Sequence, residues 1–156
     1  MNLNMKAVIQ RVFNASVSAD NVVKGKIKNG LLVYLGVAHN DSEKDADWLA
    51  EKTAYLRIFN DAEGKMNLSL KDLVDAEQNY GVLCISQFTL LADARKGRRP
   101  SWNNAAPPEK AKQLYKYFIS AVKKHGLICE SGEFQADMKV SYTNDGPVTI
   151  CLDSVE

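Results

Sequence analysis

Apolar residues along this chain recur in two periods, and the order in which those periods alternate leaves few architectures open. Residues 5–13 (Met-Lys-Ala-Val-Ile-Gln-Arg-Val-Phe) follow the two-residue period of a strand. Ala7, Ile9, Arg11 and Phe13 fall on one face, Val8 and Val12 on the other. Asp20-Asn21 is a turn signal before a second strand near Val22–Ile27, so the spacing predicts a hairpin. Gly30 opens Leu31–Val37, a continuous apolar run of the kind buried on both faces of a sheet, and Val82–Ile85 is another. Phe134, Ala136, Met138 and Val140 alternate again, followed after a Gly-Pro turn by Val148, Ile150 and Leu152.

Two segments switch to the helical period. Ser42 and Asp45 are spaced as a capping pair ahead of Trp48, Leu49, Lys52, Thr53 and Leu56, which predicts a helix over 43–57. Pro108 suits a first helical turn, and Ala111, Leu114, Tyr115, Phe118, Ile119 and Val122 form an apolar stripe behind it. Lys123-Lys124-His125-Gly126 then places cations at the negative end of the dipole and glycine at the left-handed cap. Between the helices lie a turn at Asp61–Gly64, a short strand at Met66–Leu70, a polar connection over 71–79 and a loop over 92–108. The pattern predicts one α+β domain over 1–156. It is strand-dominated, of mostly antiparallel sheets in a sandwich or partial barrel, with two main helices.

Composition narrows the function. The chain is 46% apolar and 25% charged, ordinary for a soluble globular protein. Its 20 basic and 19 acidic residues nearly cancel, so no field over the whole surface recruits nucleic acid. The basic residues cluster once, in Arg95-Lys96-Gly97-Arg98-Arg99, which reads either as a solvated loop or as a local handle for RNA phosphates. No apolar run reaches bilayer-spanning length and the first residues lack a secretory pattern, so a cytoplasmic protein without membrane contact is expected. Cys84, Cys129 and Cys151 are odd in number and far apart, with no Cys-x-x-Cys or Cys/His spacing. All three read as reduced core or near-core thiols, and neither a metal nor a cofactor is expected.

The usual catalytic constellations are missing. His125 falls in a helix cap and His39 in a loop, neither in a nucleophile-elbow frame, so a Ser-His-Asp hydrolase is poorly supported. No phosphate-cradling glycine motif occurs. Two segments stand out instead. Ser86-Gln87-Phe88-Thr89 puts hydroxyls and an amide where a buried strand ends. It is either a locally bonded strand end or a pocket whose backbone N–H groups, freed from a ladder, meet an oxyanion. Asn144-Asp145-Gly146-Pro147 is either a plain β-turn or a unit whose X-Pro bond, if cis, aims two carbonyls the same way to hold an ammonium group. Phe134 and Met138 are core residues or an apolar wall for a base.

On these residues the chain resembles the D-aminoacyl-tRNA deacylases over essentially its whole length. Ser86–Leu90 is similar to the family's SQFTL motif and Asn144–Thr149 to its N-x-G-P-V-T motif. Ile9–Val12, Asp61–Asn67 and Arg99-Pro100-Ser101 match in the same order. A sister class with a Pro-Gln-Ala-type segment in place of SQFTL is not followed. The resemblance implies a homodimer, without metal or cofactor, that hydrolyses the ester between a D-amino acid, or mischarged glycine, and the 3′ end of tRNA. It implies that Gly146-Pro147 is cis and reaches into the partner's pocket, braced by Arg11. Ser86, Gln87, Phe88 and Thr89 would receive the ester, and Phe134 and Met138 would enclose the terminal adenine. Catalysis would use the substrate's own ribose 2′-hydroxyl. Thr89 is favoured as a positioning group, because no base to activate it is visible. Two other classes stay open: a non-catalytic tRNA-binding module, and a hydrolase of another small ester with Thr89 or Ser86 as nucleophile.

Overall fold

The computed structural model describes residues 3–77 and 79–154. In chain order its elements are β1 (Lys6–Ala19), β2 (Val22–Gly36), α1 (Glu43–Tyr55), β3 (Phe59–Asn60), β4 (Met66–Leu68) and α2 (Leu70–Ala76). They continue with β5 (Tyr80–Ser86), a 3-10 turn (Phe88–Leu91), α3 (Pro108–Lys124), β6 (Cys129–Ser131) and β7 (Met138–Asp153). Five strands make one sheet in the order β6-β5-β2-β1-β7, and β3 and β4 pair by themselves.

The hairpin forms where the turn residues predict it. Asp20 and Asn21 have φ of 51° and 60°, the left-handed pair that a two-residue hairpin loop requires. β2 then runs unbroken from Val22 to Gly36, so the two strands expected there are one. The antiparallel expectation holds for β1 with β2, β1 with β7 and β3 with β4, whereas β5 lies parallel to β2 and β6 parallel to β5.

Each sheet face has its own core. Ala7, Ile9, Leu31, Val33, Leu35, Val82 and Cys84 pack with Leu49 of α1 and Leu114 and Phe118 of α3. Val12, Ala15, Val17, Ile27, Leu32, Leu83 and Ile85 form a second cluster. Ala15 and Val17 join Val12 on the second face because Asn14 takes a φ of 52° and the pairing with β7 slips between Phe13 and Ser16. That bulge breaks the two-residue period. Phe13, just before the bulge, is 39% exposed.

α1 starts where expected, with the Asp45 carboxylate accepting from the Ser42 N–H at 2.8 Å, and ends at Tyr55. α3 ends at the expected cap, with Gly126 at a φ of 81°. Three expectations are corrected. Leu70 begins α2, a third and shorter helix, where the sequence reading placed a strand end and a polar connection. Ser69 and Asp72 cap it with the same signature as Ser42 and Asp45. Phe134–Asp137 form a turn in which Gln135 has a φ of 65°, so the final strand starts only at Met138. Cys151 is exposed, because it points outward between Ile150 and Leu152 on an edge strand, while Cys84 and Cys129 are buried. No helix among the described residues is long and apolar enough to cross a membrane.

Candidate active site

β5 leaves the sheet at Ser86 and enters the 3-10 turn at once. The Gln87 N–H is still bonded to the Leu35 carbonyl at 2.8 Å, so it is not the released donor that the sequence reading expected. The open donors are those of Phe88 and Thr89, the first two residues of the turn. Neither meets a side chain or loop carbonyl among the described residues. Buried Leu91 seats the turn on Gly36, where a Cβ would stand 2.6 Å from Leu91 Cδ2 and 3.0 Å from the Gln87 carbonyl oxygen, so a side chain there would require the turn to shift. Gln87 Nε2 donates to Thr89 Oγ1, which ties the two polar side chains together.

Ser86, Gln87 and Phe88 line a cleft of about 630 Å³, and Phe134 and Met138 stand in its wall. The structure thus gathers five of the sequence-predicted residues from segments about fifty positions apart. Thr89 sits just behind them, bonded to Gln87. Phe134 is backed by Tyr115, with ring centroids 6.0 Å apart, and the Tyr115 hydroxyl donates to the Cys84 carbonyl at 2.9 Å. Burial raises the Tyr115 pKa, so this hydroxyl stays a donor. Met138 lies over Gly132, where a Cβ would come 2.5 Å from its sulfur. The sequence reading missed the rim, made by Trp102 and by Ala105 to Pro108 at the start of α3. A tryptophan inside a polar loop was the available signal.

The only ionisable side chain lining the cleft among the described residues is Asp137. It is exposed and paired with Lys139 at 3.0 Å, not aimed at Thr89. His39 is outside, its Nε2 2.7 Å from the Asn103 carbonyl. No group of three or more His, Cys, Asp or Glu side chains among the described residues could hold a metal ion. The two core thiols are kept protonated by burial: Cys84 is pushed well up and Cys129 up to about 12.

Arg11, Gly146 and Pro147 do not line this cleft. Between the pairs Gln10–Thr149 and Val12–Asn144, residues 145–148 of β7 stand opposite Arg11 alone, so they bulge out of the sheet edge. The Gly146–Pro147 peptide is cis, and both residues are exposed. The neck of the bulge is held by Asn144 Nδ2, which donates to the carbonyls of Arg11 and Val148, each at 3.0 Å. Arg11, only 8% exposed, donates from Nε to the Asp145 carbonyl at 3.2 Å and from Nη1 to the Ile58 carbonyl at 2.8 Å. Its guanidinium also lies 3.3 Å from the Asp145 carboxylate.

The family model described as D-Tyr-tRNA(Tyr) deacylase matches residues 8–153, and the chain belongs to that family. It is 55% identical over 150 residues to the D-aminoacyl-tRNA deacylase of Thermosipho africanus, covering 96% of this chain and 97% of that one. The D-aminoacyl-tRNA deacylase of Thermotoga petrophila is 52% identical with the same coverage. Among solved structures, the c-Myc DNA unwinding element binding protein superposes with a TM-score of 0.86 at 37% identity, covering 97% of this chain and 99% of its own. A probable eukaryotic D-amino acid tRNA deacylase superposes with a TM-score of 0.81 at 16% identity, covering 96% and 99%.

Proposed function

We propose that the protein hydrolyses the ester linking a D-amino acid, or mischarged glycine, to the 3′-terminal ribose of tRNA, releasing free amino acid and tRNA. Membership of the deacylase family supports the reaction class. The observation that carries the site assignment is the single cleft joining Ser86–Phe88 to Phe134 and Met138. In this reading the terminal adenine lies against Phe134 and Met138, and the ester carbonyl points at the N–H groups of Phe88 and Thr89.

An aminoacyl ester is already activated, so positioned donors and a held water suffice. The ribose 2′-hydroxyl of the substrate helps activate that water. Thr89 orients Gln87 and does not attack: its oxygen accepts from Gln87 Nε2, and the ionisable side chain that lines the cleft among the described residues, Asp137, is paired with Lys139. The Gly-cisPro bulge enters the cleft of a second copy. There its carbonyls take the substrate's α-ammonium and occupy the space an L side chain would need. Glycine has no side chain to exclude and is accepted. The exposure of Gly146 and Pro147 on the single chain, beside a buried guanidinium that holds their loop, supports this assembly.

Deacylation of D-, L- and glycyl-tRNA by the purified chain tests the reading. Release of the D- and glycyl groups with the L-ester spared is expected; equal release of L- and D-groups would overturn the selectivity. Sedimentation should give about twice the 17.3 kDa of one chain, and a monomer that remains D-selective would overturn the shared site.

A further inference from the structure

The loop beyond the 3-10 turn is closed on itself. The Asp93 N–H donates to the Ser101 carbonyl at 2.8 Å and the Ser101 N–H to the Asp93 carbonyl at 2.9 Å. Inside it, Arg95 is taken up by the Asp93 carboxylate at 2.5 Å. Lys96, Arg98 and Arg99 are exposed and form no ion pair among the described residues. Trp102 follows directly, its carbonyl accepting from the Ala105 N–H at 3.0 Å. Its ring meets Phe88 edge-on, with centroids 5.8 Å apart and planes at 62°. Trp102 is 40% exposed and Phe88 56% exposed. Two large rings thus stand partly bare at the mouth of the cleft, beside three unpaired cations. Exposed aromatic faces next to a positive strip are how proteins hold single-stranded nucleic acid without reading its sequence.

We propose that Trp102, supported by Phe88, is the stacking platform for the nucleotide immediately before the terminal adenosine, and that Lys96, Arg98 and Arg99 hold the phosphates leading to it. This rests on the deacylase reading of the same cleft. The tRNA end crosses the rim over Trp102 before the adenine turns in against Phe134 and Met138. The platform acts on binding of the polynucleotide and leaves ester cleavage to the cleft floor.

The test compares two esters, D-tyrosyl-tRNA and D-tyrosyl-adenosine, which lacks every nucleotide before the last. Trp102→Ala should raise KM for the tRNA ester about tenfold with kcat within about twofold. KM for the adenosine ester should move less than about twofold, and Trp102→Phe should recover most of the tRNA affinity. Arg98→Gln with Arg99→Gln should lower the slope of log KM against log salt by about 1.4, two single-strand phosphate contacts. An unshifted KM on the tRNA ester, an equal rise on both esters, or dissociation of the assembly by Trp102→Ala overturns the platform. Failure of the wild-type chain to cleave either ester would instead remove the deacylase reading, so the two failures are distinct.

Discussion

Replacing Arg11 by methionine keeps the apolar stem and removes the guanidinium from between two parts of the fold. The buried Ile58 carbonyl loses its partner, a bond from a charged donor that contributes about 1.5–3 kcal/mol. The Asp145 carbonyl loses a second, half-buried one. The carboxylate of Asp145 is 49% exposed, so its ion pair adds little. Relief from holding a charge in the interior offsets part of the loss. The net expectation is a destabilisation of about 3 kcal/mol, a fall in Tm of about 10 °C for a domain of this size. The same change frees residues 145–148 from β1. A misplacement of about 1 Å in a positioning element costs on the order of a hundredfold in rate, and that is the expected fall in kcat/KM on D-aminoacyl-tRNA. Val122→Ala, at a fully buried position on α3, should cost similar stability and leave the rate below its Tm nearly intact. Urea unfolding and single-turnover deacylation measure the two effects. Should Arg11→Met lose no more activity than Val122→Ala, or unfold within 1 kcal/mol of the wild type, Arg11 does not brace the bulge.

Three further outcomes are expected. Thr89→Ala should retain deacylation within about tenfold, because only the bond from Gln87 is lost; a trapped acyl-threonine in the wild type would contradict this. Burial raises the Asp41 carboxyl from 3.8 to about 6 in the folded chain. Between those values the native state binds more protons than the unfolded one, so stability falls as pH rises through the window and the loss persists at neutral pH. The shift corresponds to about 3 kcal/mol. The stability difference between Asp41→Asn and the wild type should change by that amount from pH 3.5 to 7, and parallel curves would refute it. Gly30→Ala should cost more than about 4 kcal/mol or prevent folding, since Gly30 has a φ of 138° and a Cβ would run into the Gly81 carbonyl. Gly64→Ala, with a φ of 78° but open space around it, should cost about 1–2 kcal/mol by urea unfolding. Equal costs at the two glycines would refute the clash.

Much of the chain was legible because its signals are local. The Asp20-Asn21 turn, the Ser42–Asp45 cap, Pro108 and Gly126 each act within four residues, and each stands where the spacing places it. The Ser69–Asp72 cap was equally local, but α2 is seven residues long with little apolar period to mark it. Strand alternation identified the buried faces until Asn14 shifted the period. The backbone geometry that lets an asparagine do so is not marked in the pattern. Cys151 reads as buried from its apolar neighbours and is not, since an edge strand turns alternate residues to solvent.

Of the site, the amino-acid order by itself determined the chemistry on offer: hydroxyls and an amide at Ser86–Thr89, and a Gly-Pro pair with bare backbone carbonyls, with no histidine in either segment. Tertiary structure decided which of these meet. Ser86–Phe88 faces Phe134 and Met138 because β5 lies parallel to β2 and a turn carries the chain back past α3. Arg11 reaches Asp145, 134 residues away, because β7 closes on the free edge of β1. Pairings of that range are set by which strands bury their two faces together, a property of the assembled sheet that no short stretch of chain encodes.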